Sequence, residues 1–321
     1  MMKKALFTIL FGSLLSSNLA AQQGLPFYNH YLVSDKMLIN PSYAGQNPDY
    51  ISINGTHRNQ WDDLPNSPST QTVSAHATVI DRLAVGAYFF NDKNGAVKLT
   101  GFNITAAYHI PIEDRSYEGE QESVFSFGVG ASNIAQRFDY NLLNNYDPND
   151  PLLTEDKYNA TFLNLGLSLN YRNFNLGFSV LDINLGENKY FINNIEPLPT
   201  WFYVNLGYNW YVSEGIRLEP SLVYNQNSNS ERHLDVNLLG HFGFGERDQG
   251  FALGLGYKQG LDKNGSQPLF VSPILKAKIG SIKAGISYDI GLSDFQADGR
   301  KNGMLFSLGF DLANPFGERR Y

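Results

Sequence analysis

The sequence contains no cysteine, a low share of charged residues and no long apolar run after its N-terminus. Without cysteine the chain can form no disulfide, and it cannot carry the lipid that is attached at a lipoprotein cleavage site. Charged residues make up 17%, and the net charge falls from −7 to −9 once Lys3 and Lys4 are removed, which argues against nucleic acid as a partner. No later stretch approaches the roughly 18 consecutive apolar residues of a membrane-spanning helix.

The N-terminus carries the features of a Sec signal peptide. Lys3 and Lys4 form a basic region, 5–15 is a short apolar stretch, and Ala20 and Ala21 are small residues suited to cleavage. We therefore predict a signal peptide over 1–21 and an exported mature chain.

The remaining sequence alternates between apolar and polar residues in many segments. Phe102, Ile104 and Tyr108 point to one face of an extended chain, opposite Asn103 and Thr105. These segments run roughly 9–12 residues, which is the length that crosses a bilayer at a tilt and exceeds that of most soluble strands. A mean hydropathy of −0.28 together with 22 Phe and 19 Tyr also fits a barrel, in which only every second strand residue faces lipid.

Fourteen such segments predict an all-β, transmembrane antiparallel β-barrel over 49–312. They lie near 49–59, 70–80, 82–91, 98–110, 122–134, 161–171, 173–181, 200–211, 215–226, 231–243, 249–258, 268–279, 281–291 and 303–312. The connectors after odd-numbered segments are mostly long (60–69, 92–97, 135–160, 182–199, 259–267 and 292–302), and most of the others are tight. Long extracellular loops and short periplasmic turns are the pattern of bacterial outer-membrane barrels. Segment 22–48 then precedes the barrel in the periplasm, and 313–321 is a C-terminal tail. Pro220 and Pro273 predict bulges or bends in their strands.

The most distinctive motifs lie before the barrel and in its first strand. They comprise the aromatic residues Phe27, Tyr28 and Tyr31, then Ile39-Asn40-Pro41, Tyr43-Ala44-Gly45 and Arg58-Asn59-Gln60-Trp61, with a weaker match at Ser287-Tyr288-Asp289-Ile290. In these motifs the chain resembles the PorP/SprF family, outer-membrane proteins of the type IX secretion and gliding-motility system of Bacteroidota. Ser42 stands where family members usually carry Ala, and the tail departs from the usual terminal aromatic strand.

The resemblance implies a non-enzymatic role in secretion and surface display, without a cofactor. Its implied partners are outer-membrane lipid, periplasmic ring or motor components of the machinery, and the C-terminal domains of secreted adhesins. On this basis the candidate partner-binding residues are Phe27, Tyr28, Tyr31, Asn40, Pro41, Tyr43, Gly45, Arg58, Gln60 and Trp61.

The same residues also have a purely structural interpretation. Pro41 pushes Asn40 toward an extended backbone and Gly45 permits a positive-φ turn, so 40–45 would form the turn that leads the chain into the barrel, with Tyr43 as a packing anchor. Arg58 is expected to face the lumen and to pair with a carboxylate there. Trp61 is expected just past the strand end, as an interfacial aromatic or in loop packing.

Two other functions stay open from the sequence, a passive channel or hydrophobic-solute transporter and a lipid hydrolase of the outer membrane. Alternation predicts lumen-facing Ser74, Asp235 and four histidines (His76, His109, His233 and His241), from which a Ser-His-Asp site could be built. His233, Asp235 and His241 could hold a metal, and 147–150 could bind Ca²⁺ weakly. Lumen polarity and turn chemistry explain these residues better, so no metal site is predicted.

Overall fold

The computed structural model describes residues 33–61, 67–113, 123–139, 157–185, 198–244, 249–262, 265–292 and 302–317. They form fifteen strands and two short 3-10 helices, Lys36–Leu38 and Pro41–Tyr43. The strands are β1 (Tyr50–Gln60), β2 (Ser69–Ile80), β3 (Leu83–Asn94), β4 (Val97–Glu113), β5 (Ser123–Phe138), β6 (Lys157–Tyr171), β7 (Phe174–Asn184), β8 (Trp201–Tyr208), β9 (Trp210–Ser213), β10 (Ile216–Asn227), β11 (Arg232–Gly243), β12 (Gly250–Asp262), β13 (Gly265–Ile279), β14 (Ile282–Gly291) and β15 (Asn302–Ala313).

The strands pair antiparallel in chain order, and the last one closes on the first. β15 pairs with β1 from Tyr50↔Ala313 to Gln60↔Gly303, so the barrel has no free edge. β8 and β9 both pair with β10 and are two halves of one interrupted strand. The barrel therefore has fourteen strands, as the sequence predicts.

Alternation along the strands assigns opposite environments to neighbouring residues. Ile104 is 62% exposed on the outer wall, whereas Asn103 is 1% exposed inside. Val236 and Asp235 also lie on opposite faces, since Val236 is exposed on the outer wall and the Asp235 carboxylate lies 3.7 Å from Lys258 Nζ inside. The apolar outer wall needs lipid, and the inward polar side chains need one another.

The two ends of the barrel differ in their connections. The "turn end" carries the tight turns at 81–82, 172–173, 214–215 and 280–281, and there the barrel also begins at Tyr50 and ends at Ala313. The "loop end" is opposite and includes the connections 139–156 and 185–200. Two connections predicted to be long are short, because β3 and β4 are separated only by 95–96, and β12 and β13 only by 263–264.

The two prolines singled out in the sequence, Pro220 and Pro273, lie where ladder pairing is incomplete. Pro220 lies opposite the break between β8 and β9, where pairing with β10 stops at Ser221↔Gly207 and resumes at Leu218↔Trp210. Pro273 lies at a two-residue gap in the β13–β14 ladder, without a register shift there, so it interrupts the ladder but makes no bulge. The missing N–H of proline accounts for both interruptions.

Large side chains fill much of the interior. Phe90 and Leu239 are at most 1% exposed, and Trp201 is 2% exposed. These residues form one buried cluster with Met37, Leu38 and Ile39 of the N-terminal segment. Within the described ranges, no helix is long and apolar enough to cross a membrane.

Candidate functional site

The chain before β1 lies inside the barrel rather than below it. Residues 33–45, here called the luminal segment, are nearly all buried, with Ala44, Asn40 and Ser42 fully inaccessible. The prediction that this part of 22–48 lies outside the barrel in the periplasm is therefore wrong. Local sequence features describe its turns, but its burial depends on partners more than a hundred residues away.

Two capped 3-10 helices shape the luminal segment. The Asp35 side chain accepts a hydrogen bond from the Met37 N–H, and the Asn40 side chain accepts one from the Ser42 N–H. Asn40 has φ −157° and ψ 111°, the extended geometry expected before Pro41. Gly45 has φ 61°, and a Cβ there would lie 2.4 Å from that of Ala84, so this position requires glycine. The turn geometry predicted from the sequence is confirmed.

Polar contacts fix the second helix against the wall. Asn40 Nδ2 donates to the Leu167 and Phe178 carbonyl oxygens at 3.0 and 3.3 Å. Asn205 Nδ2 donates to the Tyr43 hydroxyl at 2.7 Å, and burial raises the pKa of Tyr43 to about 12 against the opposing effect of that bond. At Gly166 a Cβ would approach Asn40 Oδ1 to 2.1 Å, so only glycine at this wall position leaves room for the Asn40 side chain. These contacts account for burial of the polar residues.

Two histidines hold the last residues of the luminal segment. The Gly45 N–H donates to His76 Nδ1 at 3.0 Å, so the proton of a neutral His76 is on Nε2, 3.4 Å from Asp35 Oδ2. His109 Nε2 donates to the Ala44 carbonyl oxygen at 2.9 Å, while Nδ1 contacts the Ser126 hydroxyl at 2.8 Å. Both imidazoles are therefore used in fastening the segment.

Asp35 is the ionic anchor of the luminal segment. Its Oδ2 accepts hydrogen bonds from the Ser74 hydroxyl at 2.6 Å and from Asn54 Nδ2 at 3.1 Å. Burial alone would raise the pKa of Asp35, but its His76 contact and the hydrogen bonds from Ser74 and the Met37 N–H outweigh burial and lower it well below the ordinary value. Asp35 thus remains a carboxylate inside the barrel.

The candidate residues of the first strand lie apart from the luminal segment. Arg58 Nη2 and Asp289 Oδ2 are 3.3 Å apart and both side chains are 3% exposed, which confirms the predicted luminal ion pair. The pair also joins two of the motifs behind the family resemblance. Gln60 is buried at the loop end, and the Trp61 N–H donates to the Asn302 carbonyl oxygen at 2.6 Å. Phe27, Tyr28 and Tyr31 lie outside the described residues.

Burial restricts what the partner-binding candidates can contact. Asn40, Pro41, Tyr43 and Gly45 are all buried in the luminal segment. A soluble protein could reach them only if the segment left the barrel. Their observed contacts match the packing interpretation.

The polar residues considered for catalysis do not form a Ser-His-Asp site. The Ser74 hydroxyl donates its hydrogen bond to Asp35 Oδ2 and not to a histidine, and both nitrogens of His76 contact other groups. A nucleophilic serine needs a base that accepts its proton, and the Asp35 carboxylate, with its lowered pKa, is a poor one.

The residues considered for metal binding are also dispersed. His233 and His241 lie eight positions apart on one strand, about 26 Å by strand rise, too far to share an ion. His233 contacts Asn225, Asp235 contacts Lys258, and His241 contacts Glu219. No cluster of three or more metal-ligating residues occurs in the described part of the chain. The Ca²⁺ candidate at 147–150 lies outside it.

A cleft beside the luminal segment was not predicted. It has a volume of about 630 Å³ and opens at the turn end, between β9–β15 and Val33. Its lining includes Arg217, Lys276, Lys278 and Lys283. Lysines at alternate positions 276 and 278, next to a tight turn and Lys283, were the sequence signal available for it.

The barrel resembles known proteins at the level of the fold. The toluene transporter TbuX of Ralstonia pickettii superposes with a TM-score of 0.50 at 10% identity, covering 86% of this chain and 92% of TbuX. A Pseudomonas aeruginosa FadL homologue gives 0.48 at 11% identity, with 86% and 93% coverage, and a bacterial polysaccharide outer membrane secretin gives 0.42 at 11% identity, with 83% and 99% coverage. At such identity the likeness to TbuX shows the fold alone. No curated protein matches the chain.

A family model identifies the chain more closely. The model described as type IX secretion system membrane protein PorP/SprF matches residues 20–310, which include the luminal segment and nearly all of the barrel. The chain therefore belongs to the PorP/SprF family of type IX secretion system membrane proteins.

Proposed function

We propose that this barrel is a non-enzymatic outer-membrane component of the type IX secretion and gliding machinery. In this role it docks periplasmic ring or motor components, or the C-terminal domains of adhesin cargo. The observation that carries the proposal is the luminal segment, which fills one side of the barrel at the turn end through buried, specific contacts. Such packing suits a scaffold that presents its ends to partners.

Lipid and packing limit where a partner can bind. The outer wall carries exposed apolar side chains such as Phe89, Ile104 and Leu253, which face lipid in a membrane barrel. A soluble protein must therefore bind at the ends. Val33, the first described residue, lines the cleft at the turn end together with Ser213 and Gly215. With the turn end in the periplasm, this supports a partner surface on the side of the periplasmic components.

The packed interior argues against a passive channel. Phe90, Leu239 and Trp201 are at most 2% exposed, although a wide aqueous pore would leave inward side chains wet. The measurement that separates the two functions is ion conductance of the purified barrel in liposomes. Negligible conductance is expected, and stable porin-like conductance would contradict the docking role as the main function.

The docking proposal is tested by replacing Phe27, Tyr28 and Tyr31 together with Ala. Aromatic interface anchors can each contribute roughly 2 kcal/mol or more, so the triple variant should lose its secretion-system partner. Tagged barrel is crosslinked in native outer membrane, purified, and its partners are identified by mass spectrometry, with surface adhesin measured in the same cells.

The matched control replaces three aromatics of the lipid-facing wall with Ala, namely Phe89, Phe102 and Phe127. Heat-modifiable gel migration verifies that both variants fold. The control should retain the partner. Full partner recovery and adhesin display by the folded test variant would show that these N-terminal aromatics do not dock anything.

A further inference from the structure

A row of cations crosses three neighbouring strands of the wall at the loop end. Lys93 of β3 lies opposite Lys98 of β4, and Lys98 lies opposite Arg137 of β5. These three residues are here called the cation row. Because neighbouring strands lie about 4.8 Å apart, the backbone of the cation row spans about 10 Å of wall. The same register continues to Lys157 on β6.

The cation row points away from the lumen. The strand neighbours of its members face inward, since Asp92 is 3% exposed and Leu99 is 7% exposed. Alternation therefore directs Lys93 and Lys98 outward, and the side chains of Lys98 and Arg137 are exposed. The positive charges are thus presented to the surroundings of the barrel and not to its interior.

The wall beside the cation row follows the layers of a membrane. One step nearer the middle of the barrel, Asn91 and Thr100 form a polar level on the same outer face. One step further, Phe89 and Phe102 belong to the apolar belt, with 52% and 49% of their surface exposed. Phe89 and Lys93 are four residues apart, about 13 Å along the strand and about 10 Å along the membrane normal at the usual tilt. That distance leads from the hydrocarbon layer into the headgroup layer.

The cation row takes no part in the ion pairs formed among the described residues. Those pairs lie elsewhere in the chain, and none includes Lys93, Lys98 or Arg137. Like charges directly opposite one another on neighbouring strands destabilise a sheet, so the arrangement favours an external counter-charge. Carboxylates of the connection 139–156 are the competing source of that charge within the chain. The outward direction of the row and its height above the apolar belt favour lipid phosphates instead.

We propose that the cation row and the polar level bind the phosphorylated headgroup of a glycolipid in the outer leaflet. The phosphates lie on the cation row, the sugar groups on Asn91 and Thr100, and the acyl chains on the apolar belt. Lysine and arginine beside an apolar surface extend their alkyl stems along it and place their charges among the headgroups. Both residue types bind phosphate through charge-assisted hydrogen bonds. Cations spread over about 10 Å suit a headgroup with two phosphates better than a phospholipid with one.

The inference deepens the proposed outer-membrane role and rests on the orientation proposed there, with the turn end in the periplasm. The loop end then lies in the outer leaflet, where such a glycolipid is the anionic lipid. It does not depend on which protein the barrel docks.

The test is native mass spectrometry of the purified full-length barrel in nonionic detergent, titrated with lipid A that carries two phosphates. The same lipid without its phosphates and inorganic phosphate are the comparison ligands. Lys98→Gln combined with Arg137→Gln should weaken lipid A binding roughly thirtyfold, because each cation near anionic headgroups contributes a factor of about five. The lipid without phosphates should bind the parent barrel at least as weakly, and inorganic phosphate at equal concentration should displace little lipid A.

Two matched controls separate the position of the charges from their number. Arg82→Gln combined with Arg172→Gln also removes two cations, but at the turn end. Lys98→Arg combined with Arg137→Lys keeps both charges in the cation row. Both control variants should bind lipid A like the parent, and heat-modifiable gel migration verifies that every variant folds.

Unchanged binding in the folded Lys98→Gln, Arg137→Gln variant would overturn the inference, and so would an equal loss in the turn-end variant. Displacement of lipid A by inorganic phosphate at equal concentration would also contradict it. A parent barrel that binds lipid A only after the carboxylates of 139–156 are replaced by amides would show that the cation row is neutralised within the chain. Because the assay in detergent needs neither a native partner nor a membrane orientation, it can succeed or fail independently of the partner-retention experiment.

Discussion

A variant that weakens the contacts of the luminal segment without unfolding the barrel tests whether the segment is held rigidly inside it. Asn40→Ala removes the side-chain cap on Ser42 and both donors to the Leu167 and Phe178 carbonyl oxygens. Loss of a cap costs about 1 kcal/mol, and each lost buried hydrogen bond costs about the same. The free energy of opening the luminal segment should therefore fall by about 3 kcal/mol, which raises the population of the open segment roughly a hundredfold.

The absence of cysteine provides a direct assay. Ala44→Cys places a single thiol at a fully buried position of the luminal segment, and maleimide labelling then reports how often the segment opens. The rate should rise roughly a hundredfold when Asn40→Ala is added, as worked out above. Asn133→Ala removes an exposed asparagine hydrogen bond to Thr161 on the wall and should leave the rate unchanged.

Barrel stability must be followed in the same samples. The heat-induced gel shift should occur at nearly the same temperature with and without Asn40→Ala, because all strand ladders are retained. Labelling that does not accelerate would refute the view that Asn40 fastens the segment. If the free energy of barrel unfolding fell by as much as the free energy of segment opening, segment and barrel would unfold as one unit.

Three further predictions concern faces and buried charges. Val236→Arg puts a charge on the outer wall, where Val236 is 43% exposed, and should destabilise the barrel by about 2–4 kcal/mol near the bilayer midplane. Asp235→Arg puts the same charge in the lumen and should destabilise it less. Refolding titrations that give the reverse order would refute the strand register. Arg58→Ala leaves the Asp289 carboxylate buried and should cost about 3–5 kcal/mol, whereas Arg58→Met with Asp289→Leu should cost much less in urea titrations. Because the pKa of Asp35 is lowered, its stabilisation is present above the unfolded value of about 3.9 and is lost as pH falls below it. Hydrogen exchange of the segment should thus differ between parent and Asp35→Asn at pH 6, and converge in acid.

The strand faces could be predicted because lipid and lumen impose opposite demands. Ile104 is 62% exposed and its neighbour Asn103 is 1% exposed, and alternation identifies their opposite faces without any tertiary information. The signal fades where strands extend beyond the lipid, since both faces are then wet. This is why 92–97 was predicted as a long loop, although β3 and β4 continue to Asn94 and from Val97.

The luminal segment shows a different limit. Pro41 and Gly45 encode its turns locally, and both turn predictions are confirmed. Its location depends on contacts with Leu167, Phe178 and Asn205, which no local pattern connects to Asn40 or Tyr43. An aromatic, turn-rich segment looks the same in sequence whether it faces a partner or a lumen.

The positions of the family motifs bear on where specificity resides. Asn40, Tyr43 and Gly45 fasten the luminal segment, and Arg58 pairs with Asp289 inside the barrel. Residues buried in this way make the scaffold, and a partner cannot distinguish one barrel from another by them. In the proposed docking role, partner choice would then depend on groups at the ends of the barrel, and Phe27, Tyr28 and Tyr31 are the motif residues proposed for it. The cleft at the turn end is also available there, since Lys276, Lys278 and Lys283 of the wall and Val33 of the luminal segment line it.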